Sequence, residues 1–437
     1  MFALLIKRFN KSPFYKSVAW VAGGTAAAQA ITMLSAPVVT RLYTPSDYGI
    51  LALFVAILGI MAPFSSLTYA TAIPLAEDET LTHDLLMLCF LITLTISLFL
   101  GIIVFLFGSL VAMAFSVPDV ASYLWLLPLC LLGTGLYEAL SRWAIRRKYF
   151  KTIAMTGLSR GASGAGIKIG LGWLGIQPLG LLLGLLASSV AGCSSITRKL
   201  IKEDQAFGHF SWRGMSYAAK RFSQFPLFRS WSRLLLGFNK QISVFFMAGL
   251  FGVEVAGLFG LANSMVNLPM GLLGESVATV FFGEIAGYGK SRPDKIRALA
   301  MSVIKKTSLV GTITMVPILI AGPWLFSVVF GAEWAEAGVY ARLLAISVVI
   351  RFASKPVQTC LVVFEMVGTQ LLLNVIHLSL IAAAFMVSEL CGLSPHGTVG
   401  VYSIAIAVNS SITFVLVHIT LKRRANSIGG AIPHRPS

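Results

Sequence analysis

Apolar stretches of about twenty residues recur along this chain from Ser17 to Thr420, each reaching or approaching the length a helix needs to cross the hydrocarbon layer of a bilayer. No water-soluble interior is large enough to absorb them all. Leu, Ile, Val and Ala form continuous runs, whereas a transmembrane β-barrel shows short alternating segments. Only 12% of residues are charged, against roughly 25% in soluble domains. The runs lie at 17–39, 49–73, 85–110, 123–141, 153–176, 179–197, 230–250, 255–282, 307–328, 339–363, 371–389 and 399–420. They predict an all-α membrane protein of about twelve transmembrane helices.

The formal net charge of +17 is explained by topology rather than by nucleic acid. With the N-terminus placed in the cytoplasm, the inner segments in chain order carry four, five, eight, six and four of the 34 Lys and Arg residues. The outer side carries Arg41, and six lie within spans. This asymmetry follows the positive-inside rule and puts both termini in the cytoplasm. The inner segment 76–84 is acidic and does not contribute. Ala28-Gln29-Ala30 has the look of a signal-peptidase site, yet the apolar run continues to Val39, so the first span is read as uncleaved. Five scattered cysteines, with no CxxC pair, predict neither a disulfide framework nor a metal site.

The natural seam is the inner segment 201–229, where Trp212, Tyr217, Phe222 and Phe225 mix with Arg213, Lys220 and Arg221. It reads as an amphipathic helix on the inner leaflet. The expected organisation is a six-helix bundle over 1–200, this connector, and a second six-helix bundle with a basic tail over 230–437. The halves echo each other. Asp47-Tyr48-Gly49-Ile50-Leu51-Ala52-Leu53 opens span two, Val255-Ala256-Gly257-Leu258-Phe259-Gly260-Leu261 opens span eight, and a proline follows in each (Pro63, Pro269). Two parallel repeats would be related by an axis along the membrane normal and enclose a central cavity. Three GxxxG pairs (Gly157/Gly161, Gly166/Gly170, Gly180/Gly184) predict close helix packing in spans five and six.

No catalytic motif is present, so no catalytic residue is assigned. The informative residues are charges inside spans, because each basic residue at a helix centre costs about 2.5–3.5 kcal/mol on an insertion scale. Arg160 and Lys168 are eight apart in span five with Gly164 between them. Arg351 and Lys355 are four apart in span ten, and Lys240 lies in span seven. These five are the candidate cationic cavity. Gln29, Asn263 and Asn267 are its candidate polar lining, with interhelical hydrogen bonding the plainer role for the two asparagines. Opposing acids are few: Glu138, Glu275 and Glu365. A cavity richer in cations than anions favours an anionic substrate, and guanidinium and ammonium groups suit a pyrophosphate.

Several stretches strongly resemble the Wzx-type polysaccharide flippases of the multidrug/oligosaccharidyl-lipid/polysaccharide exporter superfamily. They run from Arg41-Leu42-Tyr43-Thr44-Pro45-Ser46-Asp47-Tyr48-Gly49 through Gly59-Ile60-Met61-Ala62-Pro63 to Ala72-Ile73-Pro74-Leu75. Trp143-Ala144-Ile145-Arg146-Arg147-Lys148-Tyr149-Phe150, Gly257-Leu258-Phe259 and Phe330-Gly331-Ala332-Glu333-Trp334 are also similar. The resemblance implies a multi-pass protein of the cell inner membrane that moves an undecaprenyl-pyrophosphate-linked oligosaccharide (an O-antigen, capsule or exopolysaccharide unit) from inner to outer leaflet. It implies alternating access coupled to H⁺ or Na⁺, with no other cofactor, and Glu275 is the candidate coupling residue. Membrane lipids, a polysaccharide polymerase and a chain-length regulator are the implied partners, and nucleic acid is not. The chain departs from the pattern where relatives often carry Arg-Tyr-Glu and it has Thr68-Tyr69-Ala70. It departs again where they carry Asp-Arg and it has Asn239-Lys240, and near Gly283, where a proline is common. The missing acids weaken the transfer of a proton-coupling site. A membrane polysaccharide polymerase or ligase fits poorly, because the outer loops are short and hold one basic residue, Arg41, and one histidine, His396. A drug antiporter of the same superfamily is the other alternative.

Overall fold

The computed structural model describes residues 13–114, 118–203, 211–288, 292–364 and 366–429, which are overwhelmingly helical with no strand among them. In chain order the helices are α1 (Pro13–Leu42), α2 (Pro45–Met61), α3 (Glu79–Ala114), α4 (Leu126–Arg146), α5 (Phe150–Trp173), α6 (Leu179–Val190), α7 (Cys193–Glu203), α8 (Trp212–Arg221), α9 (Ser230–Phe251), α10 (Val253–Tyr288), α11 (Pro293–Phe330), α12 (Ala335–Val363), α13 (Val367–Leu390) and α14 (Pro395–Gly429). Nine helical segments among the described residues are long and apolar enough to cross a membrane. The expected spans at 17–39, 123–141 and 153–176 fall in α1, α4 and α5. These helices have sufficient length but fall outside the nine on composition.

The chain divides into two compact units, Met1–Gly257 and Leu258–Ser437, with the division inside α10. In the first unit α1 packs along α5, α5 along α6, α6 against α4, α4 against α3, and α2 against α9. Glycine notches set the α1–α5 contact. A Cβ on Gly161 would stand 3.0 Å from the Ala28 carbonyl oxygen, and one on Gly157 would stand 3.2 Å from that of Gly24. Gly180 and Gly184 likewise admit Tyr43 and the Lys168 stem. The expected pair Gly166/Gly170 is not a seam: both are exposed with nothing within 4 Å of a Cβ. The two residues are spaced for packing, but they lie on the face of α5 turned away from α1 and α6.

The turn before α2 is built by local chemistry. Thr44 Oγ1 accepts from the Asp47 backbone N–H, and the Asp47 carboxylate accepts from the Thr44 N–H at 2.9 Å, a reciprocal capping box with Pro45 in the first turn. Span two is not one helix over 49–73. α2 ends at Met61, and 3-10 turns cover Ala62–Phe64 and Tyr69–Leu75, with Leu67 and Thr68 at positive φ between them. Pro63 lacks an amide hydrogen to continue the ladder. The irregular backbone is tolerated because Ser65, Ser66, Tyr69, Ala70, Ala72 and Ile73 are buried.

The two motifs that look like repeats meet one another. A Cβ on Gly49 would overlap the carbonyl of Val253, and a Cβ on Gly257 would overlap that of Pro45. Each partner lies four residues before the other glycine, so the close approach is reciprocal. In the second unit α11 packs along α12, and α14 lies against α11, α12 and α13. One end has a core of Phe281, Ile285, Ile296, Cys360, Phe364 and Val417. α11 kinks at Ala321 (φ −120°, ψ 23°), beside Pro323, where Gly322 and Gly338 bring α11 and α12 backbones together.

Gly49→Val is expected to lower the unfolding midpoint of the purified protein by the equivalent of about 1–3 kcal/mol, because backbone on both sides must shift. Gly166→Ala is expected to leave it unchanged or slightly raised. Fluorescence-detected thermal unfolding of both variants in one detergent tests this, and equal losses would contradict it.

Candidate functional site

The first unit holds Gln29, Arg160, Lys168 and Lys240; the second holds Asn263, Asn267, Glu275, Arg351 and Lys355. The shared face of α5 is real, but it packs on α6. Arg160 Nε donates to the Ser188 carbonyl at 2.7 Å, and the guanidinium lies 4.1 Å from the centroid of the Tyr137 ring. Ser188 is in the last turn of α6, where carbonyls lack intrahelical partners and the helix dipole favours a cation. A Cβ on Gly164 would meet Ser188 at 3.0 Å, and the half-buried Lys168 runs its stem across Gly184. Next to it, Tyr43 in the α1–α2 connection donates to the Lys168 carbonyl at 2.8 Å. Burial, then the Asp47 carboxylate, push the Tyr43 phenol up to about 12, which keeps it a donor.

The other two first-unit residues carry open capacity. Gln29 Oε1 is buried with no hydrogen-bond partner among the described residues. Lys240 on α9 is exposed, and no described residue gives it a hydrogen bond or ion pair.

In the second unit α10 and α12 are laced by two rungs. The upper is neutral on the α10 side: Arg351 Nη2 donates to Asn267 Oδ1. Asn267 Nδ2 in turn donates to the Asn263 side-chain oxygen at 2.6 Å and to its carbonyl at 2.7 Å. Asn267 is therefore interhelical, whereas the Asn263 contact lies within α10. The lower rung is an ion pair, Lys355 Nζ to Glu275 Oε2 at 2.5 Å, with the Glu275 side chain 76% exposed. Its lysine stem packs over Gly274. Glu275, the candidate coupling acid, thus already has a cation. Glu365 lies outside the described residues. Glu138 pairs with Arg142 at 3.6 Å.

Two residues absent from the sequence expectation stand beside Arg351. His377 on α13 and Tyr402 on α14 are both within its electrostatic range. His377 Nδ1 is buried with no partner among the described residues. The search for charges inside spans that picked out Arg351 gives no signal for them, since neither is a Lys, Arg, Asp or Glu. Among the described residues no cluster of three or more His, Cys, Asp or Glu is placed to hold a metal ion.

Arg342 and Arg229 also have structural partners. Arg342 donates to the Ile320 carbonyl at 3.0 Å, at the kink of α11, and Arg229 lies over the Phe225 ring.

A sequence profile described as polysaccharide biosynthesis protein matches residues 38–339. No curated protein matches the chain. Among solved structures it is similar to an inward-facing multidrug-resistance MATE-family transporter of the MOP superfamily, with 16% identity, 91% of this chain and 96% of that one covered, and a TM-score of 0.71. A MATE protein in complex with MaL6 has 14% identity, coverage of 94% and 97%, and a TM-score of 0.62. A MOP-superfamily transporter from Pyrococcus furiosus, described as having a binding pocket of reverse polarity that suggests a different function, has 15% identity, coverage of 94% and 96%, and a TM-score of 0.60. At these identities the likeness shows the fold.

Removing the acceptor of the upper rung should cost more than removing the acid of the lower one. Asn267→Leu is expected to destabilise by about 1–3 kcal/mol, because it leaves a half-buried guanidinium without its acceptor. Glu275→Gln is expected to cost less than about 1 kcal/mol, as its pair is open to solvent. Thermal unfolding of the two purified variants checks the order.

Proposed function

The chain belongs to the polysaccharide biosynthesis protein family and is a multi-pass membrane protein with a MOP-transporter fold, and on that premise we propose that it is a flippase for a lipid-linked oligosaccharide. The cargo is an undecaprenyl-pyrophosphate-linked repeat unit of O-antigen, capsule or exopolysaccharide, moved from the inner to the outer leaflet of the cell inner membrane. Family and fold point to a transporter rather than an enzyme.

The observation that carries the reading is the upper rung. Arg351 is a guanidinium in the middle of α12 whose partner is a neutral amide, so its positive charge is not cancelled. In surroundings of low dielectric such a charge attracts a phosphate oxygen far more strongly than it would in water. Its remaining donors suit the bidentate geometry of a pyrophosphate. Lys240 is the corresponding cation of the first unit, exposed and not paired among the described residues. Lys355 contributes less, because Glu275 neutralises it. Gln29 and Asn263 offer amide groups to sugar hydroxyls.

The proposed topology has twelve spans in two six-helix bundles over 1–200 and 230–437 joined by 201–229, with both termini placed in the cytoplasm by the charge asymmetry. Alternating access is coupled to H⁺ or Na⁺, and Glu275 is the acid available for it.

A leaflet assay of fluorescently labelled lipid-linked oligosaccharide in proteoliposomes tests the reading. Each lost charge-assisted contact is worth about 1.5–3 kcal/mol, so Lys240→Ala with Arg351→Ala should slow translocation by at least about tenfold. An unchanged rate in the double variant would remove the cationic site from the mechanism. Glu275→Gln, expected to fold as the parent does, should abolish the response to an imposed ion gradient while leaving downhill flipping intact; a retained response assigns coupling elsewhere.

A further inference from the structure

Two short helices of the first unit, α7 and α8, carry a feature that transport does not use. Both pack on one cluster that includes Tyr69, Ile73, Leu85 and Trp143. α7 buries Ile196 and Leu200 there, and α8 buries Met215 and Ala218. Tyr69 Oη donates to the Ala219 carbonyl at 3.0 Å, and Thr68 Oγ1 donates to that of Phe225 at 3.0 Å. The first bond fixes α8, and the second the turn that follows it, to the broken segment after α2.

With that side fixed, helical geometry decides what faces out. Successive residues turn by about 100°, so Arg213 and Lys220, seven apart, lie on one line. They stand opposite Met215 and Ala218, flanked by Trp212 and Tyr217, which are 65% and 56% exposed. The acids of this end among the described residues are directed elsewhere. Glu77 takes Arg221, Glu79 takes Arg146 and Arg147, Asp78 accepts from the Leu81 amide, and Asp84 lies against Gly214. Arg213 and Lys220 keep their charges, without an ion pair among the described residues. On α7, Arg198 and Lys202 are exposed as well.

The location supplies the occupant. α8 lies between segment 179–202, whose end is α7, and segment 225–251, each long and apolar enough to cross a membrane. Immediately after α8, Leu227, Phe228 and Trp231 are all more than 60% exposed. A cationic line edged by an indole and a phenol, next to apolar side chains at the start of a span, matches a bilayer interface.

We infer that the outer face of α8, formed by Trp212, Arg213, Tyr217 and Lys220, is a binding site for anionic phospholipid headgroups. Bound lipid holds α8 down on the Thr68–Tyr69 turn and so stabilises the break after α2. The site is independent of the transport reading: it would stand if Arg351 and Lys240 proved irrelevant to flipping.

The test uses the full chain purified in detergent. Its unfolding midpoint is followed while phosphatidylglycerol, phosphatidylcholine or inorganic phosphate is titrated in, and native mass spectrometry counts bound lipids. Phosphatidylglycerol should raise the midpoint, and the other two should not. Each basic residue near an anionic surface contributes about fivefold in affinity, so Arg213→Gln with Lys220→Gln should weaken the effect by about 30-fold. Arg213→Lys with Lys220→Arg should retain it, as should Lys305→Gln with Lys306→Gln in the second unit. The charge-retaining pair separates lost binding from lost folding. The inference fails if the glutamine pair responds to phosphatidylglycerol as the parent does, or if phosphate alone reproduces the shift. It fails equally if the face instead mediates a dimer that the glutamine pair dissolves with no dependence on lipid.

Discussion

Within a bilayer every backbone amide and carbonyl needs a partner inside the protein, and the rest of this structure is organised around that requirement. Regular helices meet it automatically; breaks do not. Where α6 ends, Arg160 reaches the Ser188 carbonyl. Where α11 kinks, Arg342 reaches the Ile320 carbonyl. Where the broken segment after α2 ends, Arg146 donates to the carbonyls of Ala76 and Asp78. Two of the six basic residues within spans, Arg160 and Arg342, are thus explained by helix breaks, and Arg146 does the same from the inner end of α4. Their positive charge suits carbonyl termini, which carry the negative end of the helix dipole. Of the other four, Lys355 pairs with Glu275 and Lys168 lays its stem across Gly184, while Arg351 and Lys240 meet neither a helix break nor a carboxylate among the described residues.

Close backbone approach is the second organising device. Lipid tails are as apolar as Leu side chains, so packing inside a membrane depends on small residues that bring backbones together. The glycines of α1, α5 and α6 form one such set, and Gly322 with Gly338 another. Gly49 and Gly257 differ in meeting across equivalent positions of two similar motifs. The same sequence pattern, used twice, supplies both sides of one contact.

Much was legible before any coordinates. The apolar runs fixed the helical class, and nine helical segments of spanning length and composition lie among the described residues. The shared face of Arg160, Gly164 and Lys168 was readable from a period of 3.6. Its destination was not, because periodicity gives a face and not the neighbour it meets; that neighbour is α6. The interruption after Met61 was signalled only by Pro63, and its 3-10 geometry depends on burial against α3 and α4. The capping box at Thr44 and Asp47 was present as a Thr-x-x-Asp pattern inside a stretch quoted for its family likeness, and its physical meaning emerged with the turn. His377 and Tyr402 had no local signature at all.

The amino-acid sequence by itself therefore determined the apolar solvent this chain lives in, its all-helical class and, through its motifs, its family. The solvent and the helical class follow from composition and local period, which can be summed along the chain. Only the tertiary structure decided which buried cations are matched by carbonyls or carboxylates, and which remain available to an anion. Whether a charge is neutralised depends on groups within about 4–6 Å, supplied by residues 28 to 84 positions away, and no one-dimensional pattern contains that distance.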